Sequence, residues 1–317
     1  MKPRLLPDVR FLPSEAGLSV RGPGHEAALH APGLYPWFER VCPFLDGEHS
    51  VVDLVEKLSP MAAQRVLGLV EFLLREGFAR DAQYDVPHTL SPATRSLHAS
   101  VIEYLAREAD SPERRFQSYR ECAPVAVGSG RLLTATALAL LATGVGHVRV
   151  HVVAEDGLGE SATDRASLIE CAKPLLHRDT AARLEFIEGE PRTLPLDVGV
   201  LLYASDRPDR ARAARLRNLA ARMGVRHGEA IVSADEVVIS QVAVPTRIVA
   251  RATPPAPATT SGRRPTSRYF GGPTAALAAN QLCLSLLQHA AGLAALDGDR
   301  ESSAMILDLR TTNFAAV

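Results

Sequence analysis

The sequence predicts an α/β protein in two parts, a small winged-helix-like N-terminal unit followed by a Rossmann-like unit built on a parallel sheet. Three observations carry that prediction. From about residue 122 onward, short Val- and Leu-rich runs alternate with helical stretches, which implies βαβ units in a sheet covered on both faces. Residues 1 to about 85 show instead three short strand candidates followed by helices. Near the start of the second region, "VAVGSGRLL" (Val125 to Leu133) compresses a strand, a glycine turn and a helix start into one stretch.

Composition bounds the function. The chain has 317 residues, enough for two ordinary domains, and its 46% hydrophobic and 22% charged residues place it among globular proteins. A net charge of -1 supplies no global field toward nucleic acid or an anionic membrane. The N-terminal "MKPRLLPDVRFLP" lacks the apolar core of a secretory signal, and no apolar run is long enough to span a bilayer, so a cytoplasmic protein is expected. The four cysteines, Cys42, Cys122, Cys171 and Cys283, form no C-x-x-C pair; reduced thiols are expected, with no zinc knuckle and no disulfide framework.

In the first unit, "VRFLP", "GLSVRG" and "HEAALHA" read as strands set off by Pro and Gly. "LYPWFERVCPFLDG" reads as a short helix. Ser50 with Asp53 forms an acidic capping box ahead of "VVDLVEKLS". In "MAAQRVLGLVEFLLREGF", Val66, Leu69, Val70, Leu73 and Leu74 make the stripe of a buried helix face. Residues 86–120 read as a connector with one amphipathic helix (Leu97, Val101, Ile102, Leu105) and then a charged, Pro-containing turn.

The second unit, 121–317, alternates. "PVAVGSG", "HVRVHVV", "RLEFIEG" and "DVGVLLYAS" read as strands, and "RLLTATALALLATG", "ATDRASLIECAKPLL" and "PDRARAARLRNLAARMG" as helices. "ATPPAPATTSGRRPTSR" has almost nothing to bury and reads as a mobile crossover. A long helix, "GGPTAALAANQLCLSLLQHAAG", and a last strand, "AMILDLRT", follow. In the glycine turn, Gly128, Ser129, Gly130 and Arg131 suit the approach of a phosphate to a helix N-terminus, but Leu133 stands where a dinucleotide fingerprint has its third glycine. A tight strand-to-helix turn explains the same glycines without a ligand. His147, His151, His177 and His289 show no metal spacing and read as packing or surface residues. The Arg-rich "RPDRARAARLRNLAARMGVR" reads either as a solvated helix face or as a basic surface for a partner or phosphate.

With these pieces in order, residues about 122 to 317 resemble the ThiF/MoeB superfamily, relatives of the ubiquitin-activating enzymes, and within it the divergent Ocin-ThiF-like branch of azole-peptide gene clusters. The resemblance rests on "VAVGSGRLLTATALALLATGVGHVRVHV", "DVGVLLYASDRPDRARAARL" and the late helix ending in Ala-Gly. Residues about 5 to 82 resemble the PqqD-like precursor-peptide recognition element, through "GHEAALHAPG", "LDGEHSVVDLVEKLS" and "VLGLVEFLLREGFA". Together they resemble the leader-binding partner protein of YcaO cyclodehydratases in thiopeptide and thiazole/oxazole pathways.

That resemblance implies β-augmentation: a leader peptide pairs with the strand formed by His25, Glu26, Ala27, Ala28, Leu29 and His30, while helix residues Gln64, Arg65, Leu67, Gly68, Glu71, Phe72 and Arg75 supply pockets and charge. Arg65 and Arg75 would meet acidic leader residues. The same helix is too mixed in charge for DNA.

The family's adenylylating members need more than a glycine turn. Where they place an acid after the second strand, this chain has Val152 and Ala154, with Glu155 and Asp156 displaced; Arg165 is the one stand-in for a phosphate arginine. Asp206 matches the magnesium aspartate, loosely spaced from Asp197, while the zinc cysteines and a crossover cysteine are missing. The resemblance therefore implies a non-catalytic adaptor with no cofactor, a precursor leader and a YcaO enzyme as partners, a homodimer as in its relatives, and neither nucleic acid nor membrane. The alternative is an ATP-dependent adenylyltransferase acting on a peptide. A nicotinamide oxidoreductase would require an acidic ribose partner that the second strand does not offer.

Overall fold

The protein is represented by a computed structural model describing residues 1–15, 17–22, 24–31, 33–153, 165–207, 209–245, 269–293 and 304–316, with the helical backbone of 160–164. It divides into two compact units, Met1–Arg114 and Arg115–Val317.

The first unit opens with β1 (Pro3–Leu5), β2 (Arg10–Ser14), β3 (Gly17–Arg21) and β4 (Glu26–His30). Strands β2, β3 and β4 form an antiparallel sheet in that order. Next come α1 (Leu34–Val41), a one-turn 3₁₀ helix (Cys42–Phe44), α2 (Val51–Val55), α3 (Pro60–Arg75) and β5 (Ala79–Asp81). The Ser50–Asp53 capping box starts α2, and Ser59 with Pro60 starts α3. The predicted α3 stripe is the core: Val66, Leu69, Val70 and Leu73 pack with Leu18, Val20, Phe38 and Phe78, while Leu74 is partly buried. The β1–β5 ribbon was not predicted, since three residues per strand leave no periodicity to read.

The region after β5 corrects the sequence expectation. It holds α4 (Pro92–Leu97), α5 (Ala99–Glu108) and α6 (Pro112–Arg120) instead of one helix and a charged turn. Pro92 and Pro112 open helices, a position where the missing N–H costs nothing. Two bidentate ion pairs brace this unit. Arg4 donates to both oxygens of Glu113 (2.9 and 2.6 Å) and Arg80 to both of Asp85 (2.7 and 2.6 Å).

The second unit runs β6 (Val125–Ser129), α7 (Gly130–Ala142), β7 (His147–Val152), α8 (Glu160–Arg178), β8 (Arg183–Phe186), β9 (Val200–Ser205), α9 (Arg210–Met223), β10 (Arg226–Ser233), β11 (Glu236–Ala243), α10 (Gly272–Ala290), β12 (Ala304–Asp308) and β13 (Phe314–Ala316). Its eight-stranded sheet has the order β13-β12-β11-β10-β9-β6-β7-β8. The five strands β8-β7-β6-β9-β10 are parallel and doubly wound, so chain order reverses between β6 and β9.

The prediction of a parallel sheet needs amendment: β11, β12 and β13 add an antiparallel edge. No strand was expected at β10, β11 or β13. The crossover predicted to be mobile, and Glu155 and Asp156, lie outside the described residues. Inside this unit a buried pair, Arg120 and Asp179, is bidentate at 2.7 and 3.0 Å. Among the described residues no helix is long and apolar enough to cross a membrane.

Candidate functional site

Strand β4 is an edge, pairing with β3 and, among the described residues, with no strand beyond it. The phase of its hydrogen bonds follows from the hairpin: Gly22 N–H donates to the carbonyl of His25 at 3.0 Å. Hydrogen-bonded pairs alternate in an antiparallel ladder, so Ala27 and Leu29 also turn their backbone groups to β3. Glu26, Ala28 and His30 turn theirs outward, and all three side chains are exposed. Ala27 and Leu29 are partly buried against the core beneath.

His25 is a tether. Its Nε2 lies 2.7 Å from the carbonyl oxygen of Glu76, just past α3, and its ring stacks on Phe78 with centroids 4.6 Å apart. The start of β4 is thereby held to the end of α3. On α3, Gln64, Leu67, Gly68, Glu71 and Arg75 recur at helical spacing, and these with Arg65 form one exposed face. A Cβ added to Gly68 would meet nothing within 4 Å, so the face is open there. Arg75 lies over the Phe72 ring at 5.8 Å and pairs with Glu76 at 2.9 Å. Phe72 itself turns inward, 4% exposed, and tilts against Phe78. Among the predicted pocket residues it belongs to the core. The sequence could not tell which side of the stripe it took. Glu26 is held below the ordinary carboxylate range by hydrogen bonds, first from Ser19 and then from Arg21.

The glycine turn sits at the point where chain order reverses, the usual place for a nucleotide in this architecture. Its geometry there is closed. Gly128 (φ 156°) lies so near β9 that a Cβ would come 1.7 Å from the Ala204 carbonyl oxygen. A Cβ on Gly130 (φ 71°) would come 2.3 Å from Asp206 Oδ2. Close packing thus explains both glycines.

The Asp206 carboxylate fills the start of α7. Its Oδ2 accepts from the N–H of Arg131 and its Oδ1 from the N–H of Leu132, both at 2.8 Å. Those amides are the ones a helix N-terminus offers to a phosphate. Ser129 Oγ faces Ser205 Oγ at 3.1 Å, Arg131 Nη1 donates to the Phe270 carbonyl at 3.3 Å, and Leu133 is buried. The sequence showed an aspartate just beyond β9; the carboxylate's grip on a helix 74 residues earlier was not visible in it.

The remaining candidates are engaged in ion pairs. Arg165 pairs with Glu188 at 2.8 Å and stacks over Phe186 at 4.6 Å. Asp197 accepts from Arg149 at 2.6 Å, and Arg149 also reaches Glu185, to which the His147 ring is bonded at 2.7 Å. Burial pushes the thiols of Cys42, Cys122 and Cys283 up, Cys122 to about 12, away from thiolate chemistry. No group of three metal-ligating side chains occurs among the described residues.

No family model and no curated protein matches the sequence. Solved structures do match. E. coli MccB aligns at a TM-score of 0.59 and 13% identity, covering 100% of this chain and 94% of its own. Its complex with AMPCPP and MccA gives 0.62 and 13%, covering 100% and 96%. PaaA gives 0.62 and 15%, covering 98% of each chain. At these identities the likeness is one of fold, and the chain has, over essentially its whole length, the fold of MccB and PaaA.

Proposed function

We propose that this chain binds the leader of a ribosomally made precursor peptide and presents its core to a YcaO cyclodehydratase for thiazoline or oxazoline formation in thiopeptide or azole-peptide biosynthesis. The observation that carries the reading is the open edge of β4, where Glu26, Ala28 and His30 offer outward backbone groups beside an exposed α3 face. An extended leader would add a fourth strand to the winged-helix-like unit, taking affinity from the backbone and specificity from α3. Arg65 and Arg75 would select acidic leader residues. Tethering would raise the effective concentration of core residues at the partner's active site, so weak core contacts suffice.

The fold neighbours support a role in peptide modification, since MccB is described as a microcin biosynthetic enzyme and has been solved in complex with N-formylated MccA. The Asp206 plug supports a role without adenylation here, with the α/β unit docking the partner enzyme and associating with a second copy as in the family it resembles. A second reading, ATP-dependent adenylation of a peptide, is favoured by the match to MccB solved with ATP, which spans 100% of this chain. It requires Asp206 to leave the α7 amides.

Fluorescence polarisation with the leader of a precursor peptide identified among the neighbouring genes tests the first reading, which predicts a saturable rise; no rise refutes it. ATP–pyrophosphate exchange above background would establish the second.

A further inference from the structure

We infer that the α/β unit carries a second docking surface, a basic cleft along α9 that takes an acidic segment of a partner polypeptide. This goes beyond leader capture on β4 and does not depend on it. The cleft has a local cause. In a doubly wound sheet each crossover ordinarily lays a helix on the sheet, yet residues 187–199, from β8 to β9, form none, and Pro191 and Pro195 interrupt them. Helix α9 packs through Leu216 and Leu219 onto Val125, Val127, Leu201 and Tyr203, with no helix from that crossover beside it.

The space between α9 and residues 189–192 is a cleft of about 1480 Å³. Small-molecule sites occupy roughly 300–1,000 Å³, so its size fits a polypeptide segment better. Three arginines, Arg192, Arg215 and Arg222, stand against one carboxylate, Glu190. Glu190 is already engaged, by Arg215 at 3.2 Å and Arg212 at 3.5 Å. Arg192 and Arg222 are exposed and have no ion-pair partner among the described residues.

Charge complementarity therefore names an acidic occupant, and the lining selects its class. Pro191 and Ala221, both partly buried, give apolar contact over the core residues Leu216 and Leu219, and among the described residues no aromatic side chain lines the cleft for base stacking. Without a ring on which bases could stack, an acidic peptide fits the cleft better than a nucleic acid.

The test uses the full-length chain and a short fluorescein-labelled Glu/Leu peptide, read by polarisation. The native chain should bind it, more weakly as salt rises, and Arg192→Glu with Arg222→Glu should weaken binding at least about tenfold. Arg192→Lys with Arg222→Lys should retain it, showing that charge is responsible. Unchanged binding in the Glu double variant, or preferential displacement of the peptide by an oligothymidine strand, would overturn the inference. Leader binding is measured on the same variants. Its retention confirms that they fold, and a failure of leader binding in the native chain sinks the β4 reading without touching this one.

Discussion

Strand β4 and helix α7 each bring to the surface backbone donors that regular structure leaves unused. On β4 they lie along a sheet edge at Glu26, Ala28 and His30, with no further strand beside them among the described residues. At α7 they are the first amides of the helix, and the chain satisfies them itself through Asp206 at 2.8 Å. The family resemblance alone draws attention to both places; hydrogen-bond accounting separates them. An open edge can accept a peptide as it stands, whereas a filled helix start must first give up two charge-assisted hydrogen bonds.

The most disruptive way to probe this contrast is Gly128→Ala. If the glycine turn survives for packing, a Cβ aimed at the Ala204 carbonyl should destabilise the second unit by about 4 kcal/mol or more, among the largest single-site effects, measured by thermal denaturation. A near-native melting temperature would show that the turn is not fixed by this contact.

The units also differ in acid. Burial pushes His227, in the second unit, down from 6.5 to about 3. When unfolded it binds a proton that the folded chain refuses, so stability falls as pH drops from about 6.5 toward 3, by at most a few kcal/mol. His147 and His289, also lowered mainly by burial, add to the slope. In the first unit Asp85 and Glu113 are held low by Arg80 and Arg4 against the opposing effect of burial, so their contribution fades only at more acidic pH. The pH dependence of denaturant unfolding should flatten between 6.5 and 4.5 in His227→Phe, a range set by these ordinary values.

Ala28→Pro removes one outward N–H from β4 and leaves the β3 ladder intact, as edge strands tolerate proline. Leader affinity should fall about tenfold, ~1.4 kcal/mol, with little loss of stability. Equal affinity would break the edge-pairing account. Asp206→Ala should cost about 1 kcal/mol, the ordinary worth of a helix cap, and leave leader affinity unchanged. The smallest effect is Gly68→Ala: open space on an exposed helix face predicts up to about 1 kcal/mol of added stability in chemical denaturation.

Much of the architecture was readable because it is periodic. The α3 stripe, the Ser50–Asp53 box and the strand-helix alternation after residue 122 all declare themselves locally. What escaped depends on partners distant in sequence or on elements too short to have a period. The β1–β5 ribbon joins Pro3–Leu5 to Ala79–Asp81, far apart in sequence, and Pro112 begins a helix where a turn was expected. At the candidate sites, residue types and the exposed α3 face were legible. The inward turn of Phe72, the tether of His25 to Glu76 and the filling of α7 by Asp206 were not.

Amide hydrogen exchange with and without a leader peptide that binds tests the contrast most directly, because it reads both places in one experiment. The account predicts new protection at Glu26, Ala28 and His30 and unchanged exchange at Arg131 and Leu132. Protection at Arg131 and Leu132 with none on β4 would contradict it.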